Sequence, residues 1–262
     1  MVVSPRLMAL AATLFVYTPA AWAQPANISK GKHSQFLKDC NDADNIGAIR
    51  RKTVTALKAA AGKDACKDAD GALKALTELK LNEKGISDLT ALEGLTGLTK
   101  LHLASNQITD LSPISGMTAL VELDISGNQI ADLSPISTLT KLTTLDGKEN
   151  QIADLAAVSG MTELTTLRLS KNKITAVEPL AGLSKLSQLN LNGNQIVQIK
   201  TLGELTSLTA LYLKGNQITG ARVLKALDQL EELVLEKNPI DPEKCPTDND
   251  VPKALKQACK AL

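Results

Sequence analysis

Hydrophobic residues recur with a period of 22 residues through most of the chain, from Leu76 to Ile240. In each of eight consecutive units, two leucines stand three residues apart, and an isoleucine follows ten residues after the first leucine. Around the second leucine, polar and apolar residues alternate with the period of a strand that has one buried face. One such unit cannot bury its own leucines, so the units must stack on one another. The pattern therefore predicts a solenoid with eight parallel strands in one sheet.

A column of asparagines accompanies the leucines in all units but the first, where Lys84 takes the position. The column consists of Asn106, Asn128, Asn150, Asn172, Asn194, Asn216 and Asn238. A side-chain amide carries both donors and acceptors, so it can satisfy backbone groups of a buried turn. We therefore expect each asparagine to support the turn that leaves its own strand.

The second half of each unit is compact and often interrupted by proline, as in residues 110–114. This pattern predicts a turn followed by a short 3₁₀ or helical segment on the convex side. The corresponding segment of unit seven, residues 220–227, lacks proline and is expected to be more helical. Gly147 occupies an inward strand position where other units have leucine or isoleucine, so we expect looser packing in unit four.

The units LTKLHLASNQITDLSPISGMTA and LVELDISGNQIADLSPISTLTK closely resemble leucine-rich repeats. The resemblance covers residues 76–240 and is to the 22-residue class found in bacterial internalin-like proteins and a phosphatase regulatory subunit. It implies an α/β fold class: a leucine-rich repeat solenoid with a parallel sheet on the concave face and turn or 3₁₀ segments on the convex face. It also implies a protein-interaction scaffold, because most members of this family bind proteins.

Both ends of a solenoid need caps, since an open end would expose leucines. Residues 46–61 and 67–75 have helical spacing, so we assign residues 24–75 to a helical N-terminal cap. Residues 241–262 form the second predicted cap, with Asp250 as the N-cap of a helix over residues 251–262. This segment resembles the cysteine-containing C-terminal flank of exported leucine-rich repeat proteins.

Residues 1–23 have the features of a secretory signal peptide. Arg6 provides a positive start, an apolar stretch of eleven residues follows, and Ala21-Trp22-Ala23 is typical of a cleavage site. Cleavage is expected between Ala23 and Gln24. An uncleaved anchor or a buried N-terminal helix is the alternative. Eleven residues are too few to span a bilayer core of about 30 Å, so we expect no stable membrane insertion after signal removal.

Four cysteines, Cys40, Cys66, Cys245 and Cys259, fit an exported protein with disulfides. Four cysteines allow three connectivities, and two cysteines lie before the repeats and two after them. We therefore expect local pairing of Cys40 with Cys66 and of Cys245 with Cys259. Four free thiols in a cytosolic protein are the alternative.

Charge and motifs exclude several classes of function. Without Arg6 the chain has 28 basic and 28 acidic residues and no basic run, which argues against a nucleic-acid partner. None of the common hydrolase, nucleotide-binding or zinc-site motifs is present, so we expect no enzyme activity, metal or cofactor. Asp68 and Asp70 resemble part of a calcium loop, but the required acidic residues at its first and last positions are missing.

The outward position between the two inward strand positions of each repeat is expected to lie on the concave face. Its side chains include the predicted partner-binding residues His102, Asp124, Asp146, Arg168, Asn190 and Tyr212. Arginine and tyrosine are enriched at interface hot spots, so Arg168 and Tyr212 are the strongest candidates. The alternative is a merely solvated face. Asp124 and Asp146 could form a carboxylate pair, but we expect nothing on an open surface to desolvate them.

These observations favour an exported, secreted or periplasmic, non-enzymatic scaffold that binds a protein or peptide partner. We expect a monomer. A structural or self-associating envelope protein is the alternative function.

Overall fold

Each repeat contributes one short strand, and the strands stack in chain order. The computed structural model describes residues 34–241, 243, 245, 246 and 251–261. Its eight strands are parallel and form one sheet in the order β1 to β8. The strands are β1 Glu78–Lys80, β2 Lys100–His102, β3 Glu122–Asp124, β4 Thr144–Asp146, β5 Thr166–Arg168, β6 Gln188–Asn190, β7 Ala210–Tyr212 and β8 Glu232–Val234. The predicted leucine-rich repeat solenoid is confirmed.

The convex side consists of 3₁₀ helices, as the proline-interrupted segments predict. They are η1 Thr90–Leu92, η2 Ser112–Ile114, η3 Ser134–Ile136, η4 Ala156–Val158, η5 Glu178–Leu180, η6 Lys200–Glu204 and η7 Arg222–Ala226. The segment of unit seven is longer than most, as expected, but it is still a 3₁₀ helix, and η6 has the same length of five residues. Gly203 explains the close approach of these two segments, because a Cβ there would lie 2.7 Å from the carbonyl oxygen of Val223.

The core is a stack of leucine and isoleucine layers between the sheet and the 3₁₀ helices. The central strand leucines from Leu79 to Leu211 are at most 1% exposed, whereas Leu233 in the last strand is only partly buried. The expected looseness around Gly147 is wrong. A Cβ at this position would lie 3.0 Å from Leu169 Cδ2 and 3.3 Å from Ile152 Cδ1, so neighbouring side chains already occupy the space.

Three helices cap the N-terminal end of the repeats: α1 Gln35–Asn41, α2 Gly47–Ala61 and α3 Cys66–Ala75. The sequence pattern indicates α2 and α3 but misses α1, because a helix of seven residues is too short to show a helical period. Helix α1 begins after Ser34, whose hydroxyl accepts a hydrogen bond from the Leu37 amide. Phe36 on this helix is fully buried against the cap. A disulfide joins Cys40 of α1 to Cys66 of α3.

One helix, α4 Lys253–Lys260, closes the C-terminal end and packs against β8. It begins at Lys253, two residues later than we expect from the sequence, because Pro252 occupies the N-cap position. Asp250, the expected N-cap, lies outside the described residues. A second disulfide joins Cys245 to Cys259 of this helix. Both disulfides therefore pair cysteines that are close in sequence and lie within the end caps.

Candidate functional site

The concave face brings all six predicted partner-binding side chains into one row. Strand register pairs His102 with Asp124, Asp124 with Asp146, and Asp146 with Arg168. The same register continues from Arg168 to Asn190 and from Asn190 to Tyr212. All six residues are half-buried. We call this row, His102 to Tyr212 at 22-residue spacing, the concave row.

The row faces outward because each three-residue strand alternates its side chains. The central leucine of every strand points into the core, and the residue after it points outward. Since the register does not shift between strands, residues 22 positions apart in sequence become direct neighbours in space. The leucine period therefore also fixes the order of side chains along the row.

The asparagine column holds this face in place from within the solenoid. Asn128 illustrates the geometry: its Nδ2 donates to the carbonyl oxygens of Ile125, in its own unit, and Leu103, in the preceding unit, at 2.9 and 3.0 Å. Its Oδ1 accepts a hydrogen bond of 3.0 Å from the amide of Ile108, also in the preceding unit. The expectation that each asparagine supports only its own turn was therefore too narrow. Each side chain connects two successive units.

The same arrangement recurs from Asn106 to Asn238, and all members except Asn238 are buried. At the start of the column, Lys84 has no preceding repeat to contact. Its backbone amide instead donates to Asn106 Oδ1 at 3.0 Å. The lysine in the first unit therefore marks the end of the repeat stack.

Two members of the concave row are tied to acidic neighbours that the sequence does not single out. His102 Nε2 lies 3.1 Å from Glu78 Oε1, and the Tyr212 hydroxyl lies 2.6 Å from Glu232 Oε2. The hydrogen bond to Glu232 raises the pKa of Tyr212 above its ordinary value. Each glutamate lies on an adjacent strand, 24 or 20 residues from its partner, and only the register reveals this proximity.

Asp124 and Asp146 lie opposite each other on β3 and β4. Their Oδ1 atoms accept hydrogen bonds from the backbone amides of Ser126 and Lys148, at 3.0 and 3.2 Å. Burial raises the pKa of Asp146, and the neighbouring charge of Asp124 raises it further. The expectation that nothing desolvates these carboxylates is therefore wrong for Asp146, which is half-buried on the sheet.

Arg168 follows Asp146 in the row, and its guanidinium has one weak side-chain contact, to Gln188 Oε1 at 3.4 Å. By contrast, two lysines on the columns beside the row, Lys100 and Lys214, pair with glutamates of the next unit. Lys100 lies 2.9 Å from Glu122, and Lys214 pairs with Glu236 in the same way. Arg168 therefore lacks the carboxylate partner that these two flanking lysines have.

The acidic residues that resemble a calcium loop lie in a helix of the N-terminal cap. Asp68 and Asp70 lie within α3, where Asp70 is buried and bonded to Ser34 and Lys74. Within the described residues, no group of three histidine, cysteine, aspartate or glutamate side chains could hold a metal ion. None of the described helices is long and apolar enough to cross a bilayer. The signal-peptide segment, residues 1–23, and the cleavage position between Ala23 and Gln24 lie outside the described residues.

Comparisons with known proteins agree with this geometry. Family models for leucine-rich repeats match residues 74–130, 162–204 and 204–221. The internalin inlF of Listeria monocytogenes has 38% identity and a TM-score of 0.64, with 66% of this chain and 52% of that chain covered. Internalin C2 of the same organism has 34% identity and a TM-score of 0.67, with 71% of this chain and 84% of that chain covered.

A leucine-rich repeat protein of Leptospira interrogans shares the fold at 24% identity and a TM-score of 0.52, with 65% of this chain and 51% of that chain covered. A search of curated protein sequences finds no match. The chain belongs to the leucine-rich repeat family, and internalin C2 is one of its relatives there. It spans about half the length of the inlF chain and most of the internalin C2 chain.

Proposed function

We propose that the chain is an exported, non-enzymatic scaffold that binds a protein or peptide partner with the concave row. The observation that carries the proposal is the row itself: six half-buried polar side chains in unbroken register on one open face. Membership in the leucine-rich repeat family supports it, because this fold suggests protein partners. Binding rather than catalysis suits a row displayed on a sheet surface, where a macromolecule can lie across several strands at once.

Export is part of the proposal. The signal-like residues 1–23 and the two disulfides in the end caps support a protein that matures in an oxidising compartment. We propose a secreted or periplasmic location and a monomeric chain.

Site-specific photo-crosslinking tests the proposal before the partner is known. A photoreactive residue replaces Asn190 in the concave row, and a matched variant carries it at exposed Asp154 on the opposite side of the solenoid. We expect partner adducts, identified by mass spectrometry in the secreted or periplasmic fraction, from position 190 only. Equal adducts from both positions would contradict the concave-face assignment. Adducts between two copies of the chain would instead favour the self-associating envelope protein.

With a partner identified, Arg168→Glu combined with Tyr212→Ala should weaken its capture without changing the thermal midpoint. Arg222→Glu combined with Val223→Ala is a matched control, because it makes the same charge change and truncates a neighbouring apolar side chain, but on η7. A hot-spot side chain contributes about 2 kcal/mol or more, so we expect a loss of affinity of at least about thirtyfold. Unaltered capture by the first variant would reject the proposal.

A further inference from the structure

Three consecutive charged residues at the centre of the concave row lack an internal counter-ion. Asp124, Asp146 and Arg168 follow one another in strand register, and no ion pair within 4 Å involves them among the residues that the structure describes. Elsewhere on the solenoid, four lysines pair with glutamates one unit away among the described residues. Lys171 lies 2.8 Å from Glu149, and Lys185 lies 2.7 Å from Glu163. We call Asp124, Asp146 and Arg168 the charged triplet.

The triplet is an unfavourable arrangement for the protein alone. Like charges directly opposite each other on neighbouring strands destabilise a sheet, and Asp146 is also partly removed from water. Lys148 and Arg168 lower the energy of the Asp146 carboxylate through their charges, but neither forms an ion pair with it. Each aspartate has one oxygen bonded to a backbone amide, and this bond does not neutralise the charge. An external cation would remove the repulsion.

The spacing of the triplet defines what could bind there. Neighbouring strands are about 4.8 Å apart, so the midpoint of the two aspartates lies about 7 Å from Arg168 along the row. Residues i and i+2 of an extended peptide point to the same side and are separated by nearly the same distance, about 6.8 Å. A peptide that crosses the strands could therefore place one side chain on the aspartate pair and its second neighbour on Arg168.

We propose that the charged triplet binds an extended segment of a protein partner in which arginine and a carboxylate residue are separated by one residue. The partner's planar guanidinium has five donors and can bond both aspartates, and Arg168 takes the partner's carboxylate. This inference rests on the proposed function of the concave row, and it adds the chemistry of the partner.

Titration with a blocked pentapeptide, acetyl-Thr-Arg-Thr-Glu-Thr-amide, tests the inference by NMR chemical shifts at low salt. The control peptide, acetyl-Thr-Thr-Arg-Glu-Thr-amide, has the same composition, but its charged residues are adjacent and point to opposite sides of an extended chain. We expect the spaced peptide to shift amide signals of β3 to β5 and to bind more tightly than the adjacent one. Salt should weaken this binding, because it screens exposed charges.

The protein variant is Asp124→Asn with Asp146→Asn, which keeps the backbone hydrogen bonds and removes both charges. The matched control is Asp132→Asn with Asp154→Asn. These aspartates belong to the same two units, are also 22 residues apart, and lie exposed on the opposite side. We expect the first variant to bind the spaced peptide at least about tenfold more weakly, and the control to bind as the unmodified chain does. Arg168→Gln should remove the preference for the spaced peptide.

Absence of binding, equal binding of both peptides, or equal affinities of the two double variants would overturn the inference. Photo-crosslinking at position 190 tests the proposed function independently, so the two hypotheses can fail separately. Adducts at position 190 without peptide selectivity would reject the arginine–carboxylate partner and retain the concave row as an interface. Selective peptide binding without concave adducts would reject the proposed protein-binding function in the native compartment.

Discussion

The repeat body and the N-terminal cap are stabilised in different ways. In the body, each contact recurs every 22 residues, so Asn106, Asn128 and Asn150 make nearly the same hydrogen bonds. In the cap, the contacts occur once. Arg50 on α2 lies 3.1 Å from Asp88 in the first repeat and 3.7 Å from buried Asp39 on α1. The comparison shows that the interior of a repeat protein is stabilised by one set of contacts that recurs in every unit. Its ends have no neighbouring unit on one side, so they need contacts of their own.

The contacts of α2 also join the helical cap to the repeats. Thr53 on α2 donates a 2.6 Å hydrogen bond to the carbonyl oxygen of Asp88, beside the Arg50 ion pair. These bonds connect the helical cap to the first turn of the solenoid. Because neither Arg50 nor Thr53 belongs to the 22-residue pattern, no repeat-based argument could identify this connection.

The largest expected effect is on the asparagine column. Asn150→Ala removes hydrogen bonds to the Ile125 and Gly147 carbonyl oxygens and from the Ile130 amide, leaving buried backbone groups without partners. We expect a loss of about 4 kcal/mol in the free energy of unfolding, measured by urea denaturation. Asn238→Ala, in the half-buried last unit, should lose only about 2 kcal/mol. Equal losses would show that position within the stack does not matter.

The disulfides give the next largest effect, and it is confined to the ends. Cys40→Ala with Cys66→Ala opens a loop with a sequence separation of 26, which in the chain-entropy model costs about 3 kcal/mol. Cys245→Ala with Cys259→Ala opens a shorter loop, with a separation of 14, and should cost slightly less. A reducing agent should lower the thermal midpoint of the unmodified chain. If reduction leaves the midpoint unchanged, the disulfides do not stabilise the caps.

The smallest expected effects on stability come from two single carboxylates. Asp88, at the junction of the cap and the first repeat, has an ion pair, whereas Asp146 in the concave row has none among the described residues. Burial by itself would raise the pKa of Asp88, but hydrogen bonds from Thr90 and Arg50 outweigh burial and hold the pKa below its ordinary value. Ionised Asp88 therefore stabilises the fold above the ordinary aspartate pKa, and this contribution is lost as pH falls through the lowered value. Asp88→Asn should cost about 1 kcal/mol at neutral pH and less in acid.

Asp146→Asn should raise the stability of the fold, whereas Asp88→Asn should lower it. Burial and the charge of Asp124 raise the pKa of Asp146, although Lys148 and Arg168 oppose them, so ionisation of this group works against folding. That penalty grows as pH rises through the ordinary value and is complete above the raised one. We expect a stabilisation of less than about 1 kcal/mol at neutral pH that disappears in acid. Thermal midpoints of the Asp88→Asn and Asp146→Asn variants, measured from neutral to acidic pH, test this difference. If both substitutions shift the midpoint in the same direction at neutral pH, the two carboxylates do not differ as proposed.

Much of the fold could be predicted from the sequence because one period governs it. The leucine, isoleucine and asparagine columns predict the number of strands, their parallel order and the residues of the concave row. The helix α1 could not be predicted, since its seven residues are too few for a periodic signal. The filling of space around Gly147 by Leu169 and Ile152 was also unpredictable, because it depends on side chains from other layers of the stack.

The sequence by itself determined which side chains lie on the concave face, because strand alternation and a constant repeat length leave no freedom in the order of the row. Only the tertiary structure decided which of these side chains are paired. The His102 ring lies 3.1 Å from Glu78, and the Tyr212 hydroxyl lies 2.6 Å from Glu232, whereas Asp124, Asp146 and Arg168 have no counter-ion within 4 Å among the described residues. The physical reason is that pairing and burial depend on contacts between units, and stacking creates those contacts across about 22 residues of sequence.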